Sequence, residues 1–195
     1  MTSADPLPPP GPSPQRFTFA NVSSALALAV SVFALAISAY QTRLMQSQAR
    51  AAVWPYLAQG STYAADDDAG SFVWLVENNG VGPARIKSVA LTLDGKPMRN
   101  WNEALAALGV SGKTQLSLTR LSGEVIPPSL NRETGIPLIR VDGRDIARLL
   151  QGAQSRFRLD VCYCSVYGDC WLSRWQTSGA EPLAHCTAPA VPFED

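Results

Sequence analysis

Residues 86–95 read IKSVALTLDG. Val89, Leu91 and Leu93 alternate with Ser88, Ala90 and Thr92, and the run ends on Asp94-Gly95. A period of two puts the apolar side chains on one face of a strand, and Asp-Gly is a turn pair that folds the chain back on itself. Outward from this strand the same signals recur. Residues 72–76 (FVWLV) form a short β-branched and aromatic run. Leu116, Leu118 and Arg120 alternate with Ser117 and Thr119. Residues 55–59, 136–141, 157–166 and 170–175 read the same way. Short strands set apart by Gly, Pro and Asn predict a mainly β fold. The expected form is an antiparallel immunoglobulin-like β-sandwich over residues 54–195.

Two short helices interrupt the strands. Residues 102–108 (NEALAAL) stop at Gly109, with Leu105 and Leu108 on one face. Asp142 is placed to cap a second helix whose apolar stripe is Ile146, Leu149 and Leu150, ending near Gly152. Both are expected to cover an end or edge of the sandwich. Residues 77–84 (ENNGVGPA) read as a corner between strands, because Asn and Gly tolerate positive φ and Gly-Pro permits a tight turn. No helix follows to present amides, so the corner is not a phosphate loop.

The chain has 195 residues, 16 basic and 16 acidic, for a formal net charge of zero. That balance argues against a nucleic-acid partner, which needs a basic surplus. The chain is 46% hydrophobic and 16% charged, against roughly 25% charged in soluble domains. The shortfall implies that part of it avoids water.

Residues 22–40 (VSSALALAVSVFALAISAY) are that part. No charge occurs between Arg16 and Arg43, and the run holds neither Pro nor Gly. At about 1.5 Å per residue such a helix crosses a hydrocarbon core of about 30 Å. Tyr40 at one end and Phe17 and Phe19 at the other suit interfacial positions. A cleaved signal peptide is the competing reading, with Ala34-Leu35-Ala36 or Ala36-Ile37-Ser38 as the cleavage site. The apolar run exceeds a signal core, and the preceding residues are long and Pro-rich rather than short and basic, so an uncleaved single-pass anchor is expected. Residues 17–53 therefore form a transmembrane helix with a juxtamembrane extension, stopping near Trp54 because Pro55 follows. Ala27, Ser31, Ala34 and Ser38 recur as a seam of small residues that lets another helix approach, with the Ser hydroxyls placed to bond across it. Association of two copies through this helix is the expected use, beside the lipid bilayer itself. Residues 1–16 carry Pro at 6, 8, 9, 10, 12 and 14 and are expected to be a disordered or polyproline tail; their PxxP pair, Pro6 and Pro9, is read as solvated.

Cys162, Cys164, Cys170 and Cys186 lie close together in sequence. Cys162 and Cys164 share one face of a strand, and a turn over residues 166–168 sets Cys164 opposite Cys170, which leaves Cys162 for Cys186. Four cysteines allow three pairings, so the swapped connectivities stay open. Disulfides in an oxidising compartment, free thiols in a reducing one, and a metal site that includes His185 are the three readings. The Cys-x-Cys spacing matches no common zinc pattern, so no metal or other cofactor is expected.

Other motifs carry less. Gly112-Lys113-Thr114 imitates the end of a P-loop, but Ala107 stands where the motif needs Gly. Asp66, Asp67 and Asp68 lack the alternating ligands of a calcium loop. Trp171 and Trp175, four apart on a strand, share a face; they pack in the core or form an aromatic platform for a ligand. No nucleophile elbow or zincin motif occurs, and the sole His has no predictable acid partner.

Taken together, Trp54-Pro55-Tyr56 after an anchor, the corner Asn79-Gly80-Val81-Gly82-Pro83-Ala84, and residues 163–171 (YCSVYGDCW) resemble a group of uncharacterised bacterial membrane-anchored proteins. The resemblance covers most of residues 54–186 and implies a small β domain on an anchor, with no activity and no catalytic residues to carry over. Arg43 and Arg50 slightly favour a cytoplasmic domain by the positive-inside rule, whereas clustered cysteines favour the opposite side. The cysteines decide the expectation: an inner-membrane, single-pass envelope protein with a periplasmic domain that binds or scaffolds an envelope partner and is not an enzyme. A metal- or thiol-dependent module built on the cysteines, or a cytoplasm-facing regulator, is the alternative.

Overall fold

The computed structural model describes residues 19–65, 70–110, 116–129 and 135–194. The Pro-rich tail, Phe17, the three Asp at 66–68 and Gly112-Lys113-Thr114 lie outside these residues. The chain divides into two units, residues 1–47 and 48–195, a little before the expected boundary at 53/54.

One long helix, α1 (Phe19–Ala51), carries the apolar run. Its stretch from Asn21 to Ala51 is long and apolar enough to span a membrane, with a mean hydropathy of 2.2 and none of that apolar window buried inside the protein. The helix ends at Ala51 with a turn in which Val53 N–H reaches the Arg50 carbonyl at 3.3 Å, close to the expected stop.

Beyond α1 the chain is mainly antiparallel sheet. Four strands, β1 (Leu57–Ala64), β2 (Ser71–Asn78), β5 (Leu116–Leu118) and β7 (Ile136–Asp142), form one sheet in the order β1-β2-β7-β5. The second sheet is built from β3 (Ala84–Leu93), β4 (Lys96–Met98), β6 (Val125–Ile126), β8 (Phe157–Cys164), β9 (Cys170–Arg174) and β10 (Ala180–Leu183). Its order is β10-β9-β8-β3-β4, with β6 also paired to β3. β4, β6 and β10 are too short or too polar for periodicity to reveal.

The opening strand explains its own irregularity. Ile86, Val89, Leu91 and Leu93 are all buried, yet Ile86 and Val89 are out of phase with a period of two. The β3–β8 register shifts between Ile86 and Ser88, so a bulge there returns Ile86 to the inner face. A second shift sits where Trp74 pairs with Ile139 and Leu75 with Pro137, and Leu138 and Ile139 are consecutively buried there. At Asp94-Gly95 both residues take positive φ, 51° and 76°, as the turn pair predicts.

One core joins the sheets. The Trp74 ring meets Phe157 edge-on at 5.6 Å and Trp175 at 4.3 Å, and Trp101 packs beside it at 5.6 Å. Gln59 on β1 reaches across to the Leu159 and Ser173 carbonyls, each at 3.2 Å.

α2 (Trp101–Ala107) begins at Asn100, whose side chain accepts the Glu103 N–H at 2.8 Å while Glu103 accepts the Arg99 N–H at 2.7 Å. This reciprocal cap satisfies two otherwise free amides. α3 (Arg144–Ala153) departs from expectation. Its N-cap is Gly143, with no side-chain cap, because β7 runs through Asp142 and the Asp142 carboxylate accepts instead from Arg140 at 3.3 Å. Its buried face is Ala147, Leu150 and Ala153, while Leu149 is exposed. Small alanines face the sheet because the helix lies close against it.

The corner is a fastening rather than a turn that needs positive φ. Neither Gly80 nor Gly82 has positive φ. A Cβ on Gly82 would lie 2.0 Å from the Val53 carbonyl oxygen, and one on Gly80 would lie 2.4 Å from the Tyr56 nitrogen. Close approach of two backbones is the reason for Gly here. Asn79 N–H donates to Tyr56 at 2.8 Å and Val81 N–H to Trp54 at 2.9 Å. Asn78, 1% exposed, completes the joint. Its Oδ1 accepts from Tyr56 N–H and Gly80 N–H, both at 3.1 Å, and its Nδ2 donates to the Gly82 and Ile126 carbonyls at 2.9 and 3.0 Å.

Candidate functional site

The four cysteines meet on the outer face of the second sheet. β8 alternates, with Phe157, Leu159, Val161 and Tyr163 in the core, which leaves Cys162 and Cys164 on the side away from it. A tight hairpin follows. Ser165 N–H bonds to the Asp169 carbonyl at 2.8 Å, the Ser165 hydroxyl accepts the Tyr167 N–H at 3.2 Å, and Gly168 takes a φ of 85°. This loop brings Cys170 directly opposite Cys164, with Cα atoms 4.0 Å apart. Cys164 is bonded to Cys170, and Cys162 to Cys186 at an S–S distance of 2.04 Å. This is the pairing that strand geometry favours. No cysteine is left free.

The bridge at Cys186 ties down a strap that sequence reasoning did not resolve. Residues 184–194 have no regular structure, yet they are fastened at several points. Ser88 Oγ donates to the Thr187 carbonyl at 3.2 Å, Phe193 is buried against Trp101 at 5.7 Å, and Glu194 N–H reaches the Arg99 carbonyl at 2.6 Å. The available signals were Cys186 itself and an aromatic residue in a Pro-rich stretch. Between strap and sheet lies a groove of about 180 Å³, lined among others by Ser88, Asp160, Cys162, Leu172, Leu183 and Thr187. The sulfurs of Cys164, Cys170 and Cys186 lie within 4.8 Å of one another. As bridges they carry no thiolate charge to offer a metal; His185 beside them is exposed.

Trp171 and Trp175 turn inward. Trp171 stacks on the buried Tyr163 ring at 5.9 Å, and Trp175, just past β9, lies on Trp74 and donates from Nε1 to the Gln154 carbonyl at 3.2 Å. Both rings are half-buried and packed on the core, which leaves neither standing free as a platform. The Tyr163 hydroxyl accepts the Leu57 N–H at 3.2 Å, and burial raises its pKa. At the surface, a hydrogen bond from Arg156 holds Asp94 below the usual carboxylate range. The groups with displaced pKa values among the described residues do not converge on one cavity.

In α1 the seam residues Ala27, Ser31, Ala34 and Ser38 are all exposed on the helix. Ser31 Oγ donates to the Ala27 carbonyl at 2.8 Å and Ser38 Oγ to the Ala34 carbonyl at 2.9 Å. Their protons are spent on the helix's own backbone, which leaves only the acceptor lone pairs for a neighbour.

One end of the β domain carries apolar side chains that periodicity does not flag, since they sit in turns. Asp169 in the hairpin pairs with Arg50 at 2.9 Å, and the corner bonds to Trp54. Trp54, Val81, Val166 and Tyr167 stay exposed there. No protein-family model, curated protein or solved structure matches the chain.

Proposed function

We propose that the chain is a single-pass, inner-membrane envelope protein of a bacterium whose β domain faces the periplasm and acts as a binding or scaffolding module rather than a catalyst. The apolar helix carries this reading, since an uncharged run with none of its apolar window buried in the fold finds its solvent in lipid. Two bridged cysteine pairs support the periplasmic side, because such bonds persist in oxidising compartments. The exposed Trp54, Val81, Val166 and Tyr167 are the surface offered to an envelope partner. The domain is read as an immunoglobulin-like sandwich, supported by antiparallel pairing and one core between two sheets. The resemblance to anchored bacterial proteins belongs to the same proposal, as does association of copies through the seam of α1.

A membrane-impermeant maleimide tests the orientation. With Arg148→Cys on the exposed side of α3, intact cells whose outer membrane alone is opened are expected to label. Labelling only after the inner membrane is breached would place the domain in the cytoplasm and overturn the reading. Recovery of the intact chain in the soluble fraction without detergent would remove its anchor.

A further inference from the structure

The two bridges share a face and touch. Cys162 and Cys164 stand two residues apart on β8, and Cys186 comes to them from the irregular strap. Cys186 Sγ is bonded to Cys162 and lies 3.8 Å from Cys164 Sγ. A cysteine positioned between two same-face partners, on a stretch without strand pairing, has a second sulfur within reach. Two structural bridges need no such contact.

We propose that the four cysteines form a thiol–disulfide exchange centre in which Cys186 passes from Cys162 to Cys164. An external dithiol first reduces Cys164–Cys170. Two thiols form here, and the dithiol leaves as a disulfide, having supplied two electrons and two protons. Cys164 then loses its proton and attacks Cys186 Sγ. The Cys164–Cys186 bond forms, the Cys162–Cys186 bond breaks, and Cys162 departs as a thiolate that takes up a proton. The second step moves no net electrons. Its product holds the Cys164–Cys186 bridge, with thiols on Cys162 and Cys170.

The consequence falls on the groove. Cys162 lines it beside Asp160, Ser88 and Thr187, so a reducing equivalent received at the hairpin emerges as a thiol in a cavity of about 180 Å³. The strap moves with Cys186, since Thr187 is the residue held by Ser88. The exchange is stoichiometric and independent of the binding reading, because it needs only this chain and a dithiol.

The test uses the oxidised full-length chain in detergent micelles. One molar equivalent of dithiothreitol is added, the reaction is quenched in acid, free thiols are alkylated, and fragment ions locate every label and link. The singly reduced protein is expected to carry labels on Cys162 and Cys170 with a Cys164–Cys186 link. Labels on Cys164 and Cys170 with Cys162–Cys186 intact would overturn the proposal, as would failure of either bridge to open. Cys170→Ser supplies a second arm that needs no reductant. Label is expected on Cys162 as well as Cys164, approaching its final distribution faster as pH rises and the thiolate forms. Label confined to Cys164 throughout would overturn it.

Discussion

Asn78 makes four hydrogen bonds from a side chain that is almost fully buried, and they tie the corner to β6 and to the segment before β1. Asn78→Ala strands these partners without water. Leaving buried donors and acceptors unpaired costs about 1–3 kcal/mol for each group. We expect a loss of roughly 2–4 kcal/mol, read as a lowered denaturant midpoint of the full chain in detergent. Tyr163 sets a limit at the other extreme of pH. Burial raises its pKa, so the unfolded chain, near pKa ~10, loses the phenol proton first. Its contribution is whole below that value and falls as pH climbs through the folded pKa. Tyr163→Phe is expected to flatten the fall in unfolding midpoint above about pH 10. Such residues show how far sequence reaches. The Asn-Gly-x-Gly-Pro pattern announces a corner, but its Gly residues serve a backbone more than twenty positions upstream. No local signal carries that distance.

Strands, helices and bridges were legible where they rest on local pattern. The alternation in β3 and the Asp94-Gly95 pair marked a hairpin strand, and cysteines two apart beside a short turn gave the bridge geometry. The capping of α3 was misread because Asp142 looks like an N-cap, whereas β7 uses it as its last residue. The strap was invisible, since its holding contacts are all long-range. The two bridges are separable in stability. Cys162–Cys186 spans 24 positions and Cys164–Cys170 spans 6. Loop-closure entropy assigns them about 3–4 and about 2–3 kcal/mol respectively. Paired Cys→Ser changes at 162 and 186 are therefore expected to lower the thermal midpoint more than the same changes at 164 and 170. In α1, Ser31→Leu and Ala34→Leu fill the seam; cross-linking between copies in membranes is expected to drop several-fold. Undiminished cross-linking would move the contact to another face.

At the scale of the whole chain, residues 1–47 and 48–195 have separate demands on solvent. The first unit offers lipid an uncharged surface, and the second closes a core of its own around Trp74 and Trp101. Cut before Gln48, the second unit is expected to remain in the aqueous layer on detergent phase separation, while the full chain enters the detergent layer. Retention of the shortened protein in detergent would assign lipid affinity to the β domain, with Trp54, Val81, Val166 and Tyr167 the first side chains to replace. Composition announced this division through a deficit of charge concentrated in one stretch.

The clamp at residues 53–56 has a mechanical meaning. Tension applied at Val53 reaches the corner amides and the Asn78 carboxamide before it reaches the first full strand. The bonds that take the strain join segments far apart in sequence, so they must all give together before the sheet can peel. A domain tugged by a bound partner would thus hold its shape until this knot slips, and its yield point is set by one asparagine and two glycines.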